Sequence, residues 1–209
     1  PNGGGFDSPA SALEVLSDEP VLDEIRQVVD IAFNSAHRTT SALGEVEPAL
    51  AAVPLSLHAS YTREEILAAL DWTSQGRVPS TMREGVAWCQ ALNTDALFVT
   101  LKKSDTDYSP TTMYRDFALS PELFHWESQS TTSAASPTGQ RYLNHRKVGS
   151  HILMFVREAK TNSLGTSPYI FLGPADYITH EGERPIAITW RLRRPMPMEL
   201  FIASRAAVA

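Results

Sequence analysis

A chain of 209 residues with 43% hydrophobic and 20% charged side chains can build one large domain or two small ones around a real core. It holds no run of 18 uncharged apolar residues and no basic-then-apolar leader, which argues against a membrane span and a signal segment. The single cysteine, Cys89, excludes an internal disulfide and a cysteine-based zinc site; a reducing, cytoplasmic setting is expected, with Cys89 a small buried hydrophobe.

The net charge of −6 is unevenly spread. Residues 1–92 carry 5 basic and 13 acidic side chains, residues 93–209 carry 13 and 11, and residues 141–194 carry 9 and 4. A basic stretch on an acidic chain is what a nucleic-acid face needs, because phosphate attraction supplies most non-specific affinity. Ordinary solvated strand ends would give the same count. The chain opens at Pro1 and runs through three consecutive glycines, so it reads as a piece of a longer protein with residues 1–19 flexible.

In chain order, "EPVLDEIRQVVDIAFNSAHRTT" places Val21, Leu22, Ile25, Val28, Val29 and Ala32 at helical spacing, with acids at its start. A looser stretch with Pro48 and Pro54 follows. "SYTREEILAALDW" predicts a helix capped by Thr62, with Glu65 completing a capping box and Ile66, Leu67 and Leu70 on the apolar side. "STMREGVAWCQAL" predicts a third, short helix weakened by Gly85. From Asn93 the grammar changes. "DALFVTLKKS", "TMYRDFALS", "ELFHWESQS", "SHILMFVREA", "SPYIFLGPADYITH" and "RPIAITWRLRRP" read as six strands between turn clusters, with Gly173-Pro174 as a turn. "FVTLKK" and "AITWRLR" alternate, which predicts one buried and one wet face. The expected architecture is α+β. A mainly helical segment, residues 1–92, packs on a small, mostly antiparallel β-barrel or strongly curved sheet, residues 93–209.

No phosphate-binding glycine loop, dinucleotide fingerprint or nucleophile elbow is present. Glu158-Ala159-Lys160 after an apolar strand fits the carboxylate–lysine arm of a metal-dependent nuclease, but its nearest candidate partner, Asp116, is far upstream. His125 and Glu127 share one side of a strand, yet the cysteine pair of a zinc deaminase is missing. The segment Ser120–Tyr142 suits binding better than catalysis, and neither a metal nor a cofactor is expected. Phe124, Trp126 and Tyr142 could stack bases or wall a pocket. Gln129, Ser130 and Thr131 could make polar readout, and Arg115, Arg141, His145 and Arg146 could meet phosphates, with His125 between the aromatics. Core packing of Phe124 and Trp126 is the competing reading. Arg191 and Arg193 would extend a basic stripe.

The runs "REGVAWCQALNTDALFV", "LFVTLKKSDTDYSPTTMYRDFALSPELFHWESQSTTSAASPTGQRYLNH", "GSHILMFVRE" and "SPYIFLGPADYITHEGERPIAITWRL" resemble an uncharacterised domain at the C-terminus of large bacterial DEAD/DEAH-type (superfamily II) helicases. Many of these carry a phospholipase-D-like nuclease domain at the N-terminus. The likeness covers roughly residues 54–202 and includes "SYTREEILAAL". A shorter likeness, "SPELFHWESQ", is similar to a stretch in the phosphorothioate (sulfur)-binding domains of restriction enzymes. Pro121, Glu122, Trp126 and Gln129 match there, and Phe124 stands where those domains have proline. The resemblance implies DNA processing or phage defence and no particular activity. The expected function is a non-catalytic DNA-binding module beside a helicase core of the same polypeptide, reading modified DNA in one version. The alternatives are a metal-dependent nuclease and a protein-interaction domain that regulates the helicase.

Overall fold

The computed structural model of the chain describes residues 18–35, 40–72, 82, 84–102, 116–163 and 165–206. It divides into two compact units, Pro1–Thr39 and Thr40–Ala209. Helix α1 (Glu19–Ser35) forms in the first unit where the apolar spacing predicts it, with Val21 and Leu22 half-buried. The expectation of flexibility over residues 1–19 falls almost wholly outside the described residues.

The second unit begins with short pieces: β1 (Ser41–Ala42), a helical turn at Leu43–Val46, β2 (Ser56–Leu57) and β3 (Ser60–Tyr61). Helix α2 (Arg63–Ala69) has the predicted capping box. Thr62 Oγ1 accepts from the Glu65 amide at 3.2 Å, and the Glu65 carboxylate accepts from the Thr62 amide at 2.7 Å. Two reciprocal bonds thus satisfy amides that the first turn leaves without partners.

The main sheet has eight strands, seven of them in the order β4 (Val86–Cys89), β5 (Thr94–Lys102), β8 (His151–Ala159), β11 (Tyr169–Glu181), β12 (Ala187–Leu192), β7 (Leu123–Glu127), β6 (Phe117–Ala118). The eighth, β3, pairs with the start of β11. Every pairing is antiparallel except β5 with β8. The path starts at β4 and stops at β6, so the sheet is open, and the expectation of a closed barrel is corrected. A small hairpin, β9 (Thr161–Asn162) with β10 (Gly165–Thr166), joins β8 to β11. Helices α3 (Pro137–Leu143) and α4 (Met198–Ala206) complete the unit.

All six predicted strands form, though the strand expected from "TMYRDFALS" is described only from Asp116 onward. The predicted third helix does not form. Val86 to Cys89 alternate half-buried and buried against β5, and only Gln90–Leu92 turns helically. Gly85, a weak helix former, ends nothing here; its carbonyl accepts from the Phe98 amide and extends the pairing. Gly173-Pro174 is no turn either. Both lie inside β11 at a register shift, with Gly173 at φ +91° and Leu57 so close that a Cβ would sit 2.7 Å from its Cδ2. Residues on both sides of position 92 therefore share one unit, because β4 is the neighbour of β5.

Two apolar clusters explain why Thr94 to Leu101 are buried at every position, against the expected wet face. Leu97, Val99, Ile152 and Met154 join Phe124, Trp126, Tyr142, Ile188 and Trp190 in one cluster. Ala96, Phe98, Leu153 and Phe155 join Leu43, Leu57, Ile66 and Leu67 in the other. A parallel pair covered on both faces reads as a continuous apolar run rather than an alternating one. Cys89 belongs to the second cluster and is buried, as expected.

Candidate nucleic-acid interface

Strand β7 turns Phe124 and Trp126 inward and Leu123, His125 and Glu127 outward. Trp126 packs edge-on against Tyr142, with centroids 5.6 Å apart, and is tilted against Trp190. Phe124, Trp126 and Tyr142 are 0%, 4% and 1% exposed, so their expected role in stacking or lining a DNA pocket is corrected to core packing. Burying side chains of this size stabilises the fold by roughly 1.5–3 kcal/mol each. Past the strand, Gln129 is half-buried while Ser130 and Thr131 are exposed. The Ser130 carbonyl accepts from Arg184 Nε at 2.7 Å.

The polar run then forms helix α3, which sequence reasoning takes for loop. Ser136 Oγ accepts from the Gly139 amide at 3.1 Å, and Pro137 occupies the first turn. Serine followed by proline is a helix-start signal that also resembles turn chemistry. Gly139 is required because a Cβ there would lie 2.1 Å from the Ser133 carbonyl oxygen.

Helix α3 aims Arg141 inward. Its Nε and Nη2 donate to Asp95 Oδ2 at 2.6 Å and Oδ1 at 2.8 Å, and its guanidinium lies 3.9 Å over the Trp88 ring. Asp95 is fully buried. Burial pushes its carboxyl up, the two arginine bonds pull it down, and Arg141 held by those bonds stays protonated. Arg141 is therefore a partner for a buried carboxylate rather than a phosphate contact, and its partner stands 46 residues upstream.

His145 is also taken from the expected phosphate set. It is buried, its Nε2 accepts from the Tyr177 amide at 3.1 Å, and its Nδ1 donates to the Ser150 carbonyl at 3.3 Å. That pair of bonds needs a neutral ring carrying its proton on Nδ1. Burial accordingly holds its pKa below the usual value, outweighing the carbonyl of Ser150 and the charge of Asp176.

One residue further, the chain reaches the surface. Arg146, with an exposed side chain, places Nε 2.9 Å from Asp176 Oδ1 and Nη2 2.6 Å from Asp176 Oδ2. Arg193 donates to the same carboxylate through Nε at 3.1 Å and to Glu47 Oε2 through Nη1 at 2.8 Å. His151 Nδ1 stands 3.3 Å from the same Glu47 oxygen. Burial pushes Asp176 up, but the hydrogen bonds and charges of the two arginines prevail and hold it below the usual carboxylate range. Glu47, Arg146, His151 and Arg193 line a cleft of about 270 Å³ with His145, Ser150, Ile152 and Pro174. Arg191 stands directly across from Asp176 in the β11–β12 pairing, and Lys147 and Arg194 adjoin the two arginines in sequence. Lys147, Arg191 and Arg194 are exposed and take part in no ion pair among the described residues.

Of the expected phosphate contacts, then, Arg146 reaches this rim, Arg141 and His145 turn inward, and Arg115 lies outside the described residues. Of the expected stripe, Arg191 is exposed on β12, and Arg193, just past the end of that strand, turns toward the carboxylates of Asp176 and Glu47. Asp176 and Glu47, which organise the rim, escape sequence reasoning because neither sits near Arg146 or Arg193 in sequence. The candidate nuclease arm is dispersed. Glu158 pairs with Lys102 on β5, and Asp116 accepts from the Glu127 amide at 3.0 Å. Among the described residues no group of three His, Cys, Asp or Glu is placed to hold a metal ion.

Fold and rim together define a mixed α+β module built on an open, mostly antiparallel sheet with a cation-rich rim beside β11 and β12. The chain matches the family described as a domain of unknown function (DUF3427) over residues 55–203, and it belongs to that family. No curated protein matches it. Among the described residues no helix is long and apolar enough to cross a membrane.

Proposed function

We propose that the unit from Thr40 onward is a non-catalytic DNA-binding accessory module. The observation that carries this is the rim: Lys147, Arg191 and Arg194, without ion pairs among the described residues, stand beside two further arginines that share one carboxylate. Lysines and arginines in such a cluster displace counterions from phosphates, which gives affinity that falls steeply with salt. Carboxylates that hold Arg146 and Arg193 in place lower the entropy each would lose on meeting a phosphate. We read the sheet as strongly curved, since β5 and β7, well apart in the strand order, send Val99 and Trp126 to one apolar cluster. Curvature of that kind supports a firm base for the rim.

The likeness to helicase C-terminal domains supports a cytoplasmic setting in DNA processing, restriction or phage defence, with a helicase core as partner. Readout of a modified backbone or base would fall to the cleft beside Arg193 and His151, since Trp126 belongs to the core. Fluorescence anisotropy with a 20-base-pair duplex, at several salt concentrations, tests the proposal. Binding that weakens steeply with salt is expected, and salt-independent or absent binding overturns it. Plasmid cleavage with Mg²⁺ or Mn²⁺ would favour the nuclease alternative instead.

A further inference from the structure

The outward face of β6, β7, β12 and β11 is organised in rows, of which the proposed function uses only Arg191 and Asp176. Phe117, His125, Thr189 and Thr179 stand side by side across four strands. The Phe117 and His125 rings are stacked, with centroids 4.8 Å apart and planes 28° from parallel, and both are half-buried, so part of each ring meets solvent. The alternation of β7 puts His125 on the opposite side from the buried Phe124 and Trp126. Two residues along β7 and β12, about 7 Å away, and three along β11 across its register shift, the next row is Leu123, Arg191 and Asp176. On the other side the row is Glu127, Ala187 and Glu181.

This gradient has a chemical meaning. A flat aromatic pair can extend its stack with a base whatever the base's identity, because every base has a π-face. The neighbouring row offers Arg191, which is exposed and unpaired among the described residues, at the distance a nucleotide needs between base and phosphate. The far row carries Glu181 and no arginine or lysine, whereas the one carboxylate of the near row, Asp176, is held by Arg146 and Arg193, so the near row is the side that accepts a backbone. Bases in a duplex are already stacked and cannot lie on His125. We infer that this sheet face takes single-stranded DNA, with a base stacked on the Phe117–His125 pair and its phosphate on Arg191. The inference rests on the proposed function and names the DNA form that the same edge receives.

The test compares oligo-dT with a duplex in anisotropy titrations of the whole chain at fixed low salt, for the wild type, His125→Ala and His125→Tyr. His125→Ala should weaken oligo-dT binding by about 5- to 150-fold, the loss of one base–aromatic stack. His125→Tyr, which keeps a ring, should restore it to within about threefold, and duplex affinity should change less than twofold in both variants. Photo-crosslinking of an iodouracil-substituted oligonucleotide to the wild type should map to residues 117–127, a readout that needs no folded variant. Unchanged oligo-dT binding by His125→Ala, equal losses for both DNA forms, or a crosslink elsewhere overturns the inference. Salt-dependent duplex binding would survive any of these results and leave the proposed function standing, whereas its absence removes both.

Discussion

Two places in this molecule set arginine against aspartate, and they behave differently. Arg141 and Asp95 meet inside the unit, fork to fork, with an indole over the guanidinium. Arg146, with a side chain 66% exposed, and Arg193 meet the buried Asp176 beside a cleft and beside cations that hold no ion pair among the described residues. A buried pair is expensive to break because the survivor is left charged or unpaired in a low dielectric. A surface pair contributes little to stability and leaves its arginines close to water and to any anion that arrives. The same residue types are thus structural in one place and available in the other, and the exposure of the arginine decides which.

The largest expected effect comes from breaking the inner pair. Arg141→Ala removes the arginine that holds the buried Asp95 carboxylate and should cost about 3–5 kcal/mol of stability, read by urea unfolding. A loss below about 1 kcal/mol would mean that water replaces the arginine and that the two pairs are alike.

A smaller effect should come from pH, through His145, which lies between the two places in sequence. Its folded pKa is depressed, so its stability contribution is complete above the unfolded value of about 6.5 and is lost as pH falls from there toward the lower folded pKa. Thermal melts between pH 7.5 and 5 should show Tm falling through that window, and His145→Gln should flatten the fall.

The smallest stability change is expected from Arg146→Ala at the outer pair, about 0–1 kcal/mol, since its side chain is largely in water and Arg193 still holds Asp176. A change as large as that of Arg141→Ala would erase the distinction.

Sequence reasoning sees local chemistry well and long-range partnership poorly. The capping box at Thr62 and Glu65 and the six strands follow from local spacing, and they form. Val86 to Cys89 is strand because β5 lies beside it, a neighbour that helical spacing cannot reveal. Helix α3 hides behind Pro137 and Gly139, which signal loop unless the serine cap and the close approach to Ser133 are known. At the candidate site, Arg146 and the Arg191–Arg193 stripe are legible as cations. Whether a cation or an aromatic faces water is not legible: Arg141 and Arg146 are five residues apart, and only their partners, Asp95 and Asp176, separate their roles. Trp126 sits in a polar sequence context and still belongs to the core, because strand alternation outranks composition.

The proposed function places duplex affinity on the outer rim and not on Phe124, Trp126 and Tyr142, which are buried. Its most direct measurement is the slope of log K against log salt for duplex binding by the wild type and by the triple variant Lys147→Gln, Arg191→Gln, Arg194→Gln. None of these three cations holds an ion pair among the described residues, so the variant should fold as the wild type does. The slope should flatten by roughly 0.9 for each phosphate contact removed, up to about 2.7 in all. An unchanged slope in a folded triple variant would contradict the account.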